Sequence, residues 1–146
     1  MKHPLVKKLE EKLLPEFEKV AEKIRQKIPN IMVTVNGYTV GSATQYQGYG
    51  FCIDCTLTDA SNDETDNVAL TVNLGHLTTT PKIDAGVGWG HPSGESEACF
   101  RDWGGLFPSE SSMKVSDESL EDLYKDLPRL YEALFKALKR RKPADE

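Results

Sequence analysis

Near the start of the chain, apolar residues recur at steps of three and four: Leu5, Leu9, Leu13, Phe17, Val20, Ile24 and Ile28. That spacing puts them on one stripe of a helix, predicted from about Pro4 to Ile28. Pro4 suits a first helical turn, where its missing N–H costs nothing. Pro15 interrupts the stripe and predicts a kink or a restart, because a mid-helix proline removes a hydrogen bond and crowds the turn before it. Pro29-Asn30 closes the element.

From Ile31 the period changes to two. Ile31, Val33 and Val35 alternate with Met32, Thr34 and Asn36, which predicts a strand. Asn36-Gly37 is a tight-turn signal, with Tyr38-Thr39-Val40 beginning the return strand. Phe51, Ile53, Cys55 and Leu57 form one face of the next strand. Val68, Leu70, Val72 and Leu74 form another, and Ile83, Ala85, Val87 and Trp89 a third. A weaker strand is expected near 97–103. Ser116 reads as a helix N-cap with Asp117 and Glu118 in the first turn, and Val115 and Leu120 hold hydrophobic-staple positions. A broad apolar face follows through Leu123, Leu127, Leu130, Leu134 and Leu138, with Pro128 again inside the pattern. Residues 143–146 are expected to fray.

Helix, strands, helix is the resulting order, in one domain over residues 1–146. The expectation is an α+β fold: a single antiparallel sheet of about five strands, with the N- and C-terminal helices packed on one face. The outward set is then Cys52, Asp54 and Thr56, with Ala69, Thr71 and Asn73, and with Asp84, Gly86 and Gly88. That assignment depends on register, since a slip of one residue exchanges the faces.

Charge sharpens the picture. The net charge of −5 is unevenly spread. Residues 1–30 hold eight Lys/Arg and five Asp/Glu, residues 31–113 hold Lys82 and Arg101 against ten acids, and residues 114–146 hold eight of each. Phosphate binding rests on clustered Lys/Arg, so nucleic acid is not an expected partner of the middle segment. A basic protein is, through charge-steered association. No apolar run approaches the roughly 20 residues that span a bilayer. Residues 1–4 lead straight into a charged helical pattern, so the expected location is cytoplasmic, with no membrane partner. Three cysteines in a chain long enough to build a core point to reduced thiols.

The candidate chemistry is sparse. Cys52 and Cys55 form a CxxC pair, but within a strand their side chains point to opposite faces; with Cys99 they are the only thiols available for a metal, and no metal or other cofactor is expected. The loop from Asp59 to Asp66 alternates oxygen side chains as a calcium loop does, yet Glu64 stands where such loops need glycine and Leu70 where they need a bidentate acid. The glycines around Trp89 do not match a dinucleotide fingerprint, and Ser93 beside His91 lacks a nucleophile elbow. Asp54 and Asp84, with His91, are the candidates for acid/base chemistry, without a further group to complete a site.

The leading expectation is therefore a non-catalytic, acidic protein-binding module. In charge and size it is similar to an immunity-type or chaperone-type protein that engages a basic partner. The contact residues expected are Asp59, Asp63, Glu64, Asp66, Asp84 and His91, with Trp103 and Phe107 as apolar anchors. The alternative is a small enzyme or ligand-binding domain with a pocket lined by Asp54, Asp84 and His91. A homodimer through the sheet face or an unpaired edge strand is compatible with both.

Overall fold

The computed structural model describes residues 3–40, 48–58, 65–78, 80–89, 96–99 and 113–141. Helix α1 spans Pro4–Lys27. Strands β1 (Ile31–Val40), β2 (Gly48–Thr58), β3 (Thr65–Gly75) and β4 (Lys82–Trp89) follow, then two short strands, β5 (Ser96–Cys99) and β6 (Met113–Lys114). Helix α2 spans Asp117–Arg141.

All the pairings are antiparallel. β1 to β5 lie in sequence order, and β6 pairs with β4. Among the described residues the body of the sheet is thus four long strands rather than about five, with β5 and β6 as short additions beside β4. β5 overlaps the start of the segment near 97–103 expected to hold the weaker strand and begins one residue before it.

The turn expected at Asn36-Gly37 does not form. β1 runs straight through it, with Asn36 opposite Cys52 and Gly37 opposite Phe51. The reason is tertiary. A Cβ on Gly37 would lie 2.7 Å from the Tyr49 hydroxyl and 2.9 Å from its ring, so the glycine leaves room for an aromatic ring rather than supplying a turn. A left-handed residue stands instead at Asn30, with φ of 61°. It turns the chain out of α1 and into β1, and asparagine tolerates that conformation better than most residues.

Both helices pass through their prolines without a break. Pro15 and Pro128 are exposed, so each ring sits on the solvent side of its helix. The helix starts are capped by side chains. Leu5 N–H donates to His3 Nδ1 at 3.1 Å. Ser119 N–H donates to Ser116 Oγ at 3.1 Å, and Ser116 N–H donates back to Ser119 Oγ at 2.8 Å. This reciprocal pair satisfies two donors that the helix itself cannot.

One hydrophobic cluster joins the layers. α1 contributes Val6, Leu9, Leu13, Phe17, Val20 and Ile24, with Val6 rather than Leu5 at its start. α2 contributes Leu120, Leu123, Leu127, Leu130 and Leu134. The sheet contributes the alternate residues Val33, Phe51, Ile53, Cys55, Val68, Leu70, Val72, Ile83 and Val87. α1 lies against β1 and β2, and α2 against β3, β4 and β5. Between the helices Phe17 meets Tyr131 edge-on at 6.3 Å, and Tyr131 Oη donates to Glu16 Oε1 at 2.9 Å. Burial, and then Glu16, hold the Tyr131 hydroxyl in its protonated form.

Candidate functional site

The residues between those core positions form the outer face of the sheet. The register arranges them in rows that cross the strands. One row is Thr34, Asp54, Ala69 and Gly88; the next is Asn36, Cys52, Thr71 and Gly86; the third is Tyr38, Gly50, Asn73 and Asp84. None of these residues belongs to the core cluster that the helices cover.

The third row is tied together by side chains. Tyr38 Oη donates to Asn73 Oδ1 at 3.1 Å, and the Asn73 amide hydrogen-bonds the Asp84 carboxylate. Gly50 makes this possible. A Cβ there would come within 2.6 Å of Asn73 Oδ1 and 2.7 Å of Tyr38 Oη, so only a bare backbone lets the tyrosine lie across β2 and reach β3. A second amide serves the other acid: Asn67 Nδ2 donates to Asp54 Oδ1, and lies 3.5 Å from Thr56 Oγ1.

Asparagine amides, not cations, therefore hold both carboxylates, and among the described residues neither acid is ion-paired. Burial pushes the Asp84 carboxyl above its ordinary range, partly offset by the Asn73 bond. The Tyr38 hydroxyl is pushed up by burial, then by Cys52, Asp84 and Asp54. The Cys52 thiol is pushed up by burial and by Asp54, with an opposing contribution from the Asn36 backbone.

These shifts limit the chemistry. Thiol reactivity needs the thiolate, and Cys55, in the core, is pushed up to about 12 by burial. Cys52 and Cys55 point to opposite faces of the sheet, so the pair cannot hold one ion. Among the described residues no three His, Cys, Asp or Glu side chains converge on a metal position. Cys99 is a β5 residue opposite Gly86.

Asp54 and Asp84 share the outer face but do not adjoin. They are two strands and four residues apart, roughly 16 Å by strand geometry. Asp66 is a β3 residue opposite Leu57. Asp59, Asp63, Glu64, His91, Trp103 and Phe107 lie outside the described residues. The residues not anticipated on this face are Tyr38, Asn67 and Gly50; Asn73 is expected there, but not its link between Tyr38 and Asp84. For Tyr38 a signal exists: the alternation of Met32, Thr34, Asn36 and Tyr38 continues unbroken past Gly37. Among the described residues no helix is long and apolar enough to cross a membrane. Comparison of the chain with protein-family models, curated proteins and solved structures finds no match.

Proposed function

We propose that the outer face of the sheet is a binding surface for a basic protein, and that the chain works by association rather than catalysis, as an immunity-type or chaperone-type protein does. The observation that carries this reading is the way Asp54 and Asp84 are held. Each carboxylate is oriented by an asparagine amide and neutralised by no cation among the described residues. An amide fixes a carboxylate without cancelling its charge, so the charge stays available to a partner. Fixing it in advance also lowers the entropy cost of docking.

The surroundings favour the same use. Cys52, Thr71 and Gly86 form a small, uncharged floor between the two acids, and Tyr38 stands beside it as the kind of aromatic that anchors interfaces. The segment 31–113 carries ten acids against two cations, a balance that favours association of this part of the chain with a basic partner. The enzyme reading gains nothing from the register, because two acids roughly 16 Å apart cannot share a proton or a substrate atom.

Affinity capture from the source organism, with mass spectrometry of the retained proteins, tests the proposal. The wild-type chain is compared with the double variant Asp54→Asn, Asp84→Asn. The expected result is a basic protein retained by the wild type, released by salt, and lost from the variant while the variant's melting temperature holds. Retention that ignores both carboxylates, or that selects no basic protein, would overturn it.

A further inference from the structure

β1 stands at one edge of the sheet, with β2 as its strand neighbour among the described residues. In an antiparallel pair, alternate residues turn their backbone groups toward the neighbour and the others turn them away. Arg25 settles the parity: its Nη2 donates to the Val33 carbonyl at 2.8 Å, so the odd-numbered residues of β1 face the open edge. The N–H and C=O groups of Val35, Gly37 and Thr39 then have no protein partner among the described residues.

Folded chains commonly protect such an edge with charge, proline or a bulge. β1 has none of these. Its ten residues, Ile31 to Val40, include no charged side chain and no proline, and its register against β2 is unbroken from end to end. Met32, 65% exposed, and Tyr38, 36% exposed, stand out as large exposed apolar side chains and both belong to this strand.

We infer that β1 pairs with β1 of a second copy of this chain, antiparallel about a twofold axis at Gly37. That register lets Val35, Gly37 and Thr39 all exchange hydrogen bonds with the second strand, Gly37 with its twin and Val35 with Thr39. Arg25 can stay on Val33, because Val33 lies beyond the paired stretch. The uncharged sequence selects the occupant. A twofold axis sets a strand against itself, where any charge would sit near its own copy; β1 has none to repel. A strand from a basic protein would find no acid on β1 to meet. The result is one continuous sheet through two chains, with both outer faces on the same side and their acidic pairs doubled.

Residue-resolved amide exchange on the wild-type chain, with sedimentation across the same concentrations, tests the inference. In dilute solution the Val35, Gly37 and Thr39 amides should exchange quickly; in concentrated solution a dimer should form and these amides slow by roughly tenfold or more. Thr39→Pro removes an edge N–H that the β1–β2 ladder does not use, and should raise the dimer dissociation constant by roughly tenfold or more. A chain that stays monomeric when concentrated overturns the inference. So does a dimer whose edge amides keep exchanging quickly, or edge amides that slow only when a different protein is added. Should Thr39→Pro fail to fold, the wild-type exchange pattern still decides.

Discussion

The same strands write both faces of the sheet, one residue out of step, yet the faces are built by different rules. On the inner face Phe51, Ile53, Leu70, Val72 and Ile83 are fully buried and are interchangeable in kind: each is a hydrophobe of suitable volume, held by the density around it. On the outer face identity matters residue by residue. Gly50 must lack a side chain for Tyr38 to reach Asn73, Asn73 must present an oxygen to Tyr38 and an amide to Asp84, and Asp84 sits where burial works against its charge. The inner face explains why the chain folds. The outer face carries arrangements that folding does not require, which is where a function is to be sought.

The largest expected effect lies on the inner side. Phe51 is fully buried, with its ring 5.2 Å from that of Tyr49. Phe51→Ala should lower unfolding free energy by about 3–5 kcal/mol through lost burial and the cavity left behind, read from denaturant melts. A loss below about 1 kcal/mol would mean that the core is looser than its packing indicates.

Next comes the link that holds the outer row together. Asn73→Ala removes the acceptor of Tyr38 and the donor to Asp84 at once, and should cost about 1–2 kcal/mol at neutral pH. The Asn73 bond lowers the Asp84 pKa, so its loss should move the Asp84 titration further up, seen in carboxyl-carbon NMR. The cost should shrink in acid, where a protonated Asp84 no longer needs the donor. Tyr38→Phe keeps the ring across Gly50 and deletes one neutral hydrogen bond, so the loss should be smaller, about 0.5–1 kcal/mol. If Tyr38→Phe cost as much as Asn73→Ala, the row would depend on the hydroxyl and not on the amide.

The contrast between the faces also accounts for what could be read from the chain beforehand. The inner face announces itself through period, because hydrophobic burial has no direction and needs no partner to be named. Leu9, Leu13 and Phe17, or Val68, Leu70 and Val72, declare their side of the molecule locally. The outer face is relational. That Asn67 serves Asp54, and Asn73 serves Asp84, follows from which residues the register sets side by side, and pairing is not written in either strand alone. Asn36-Gly37 shows the same limit from the other direction. Its local preference for a turn is real, but Tyr49 from β2 occupies the space above Gly37 and the strand continues. The helices run on through Pro15 and Pro128 without a restart for a like reason, since a proline on the solvent side of a packed helix is carried by the packing on the other side.

Asp84→Asn gives the smallest effect and the one with opposite sign. Burial raises the folded-state pKa of Asp84 above its ordinary value, so between the unfolded and folded values the folded state binds the proton more tightly. Stability contributed by this group is therefore highest in acid, below the ordinary carboxyl range, and declines as pH rises through the ordinary value to the raised one. Asparagine can accept the same amide bond and carries no charge to desolvate. Asp84→Asn should raise the melting temperature slightly at neutral pH, with the gain fading as both chains are compared in acid. Coupled with lost capture of a basic protein, that gain would identify a carboxylate kept at the expense of stability, the signature of a residue held for binding. A variant less stable than wild type at neutral pH would instead make Asp84 a structural member of the row, and its charge no guide to a partner.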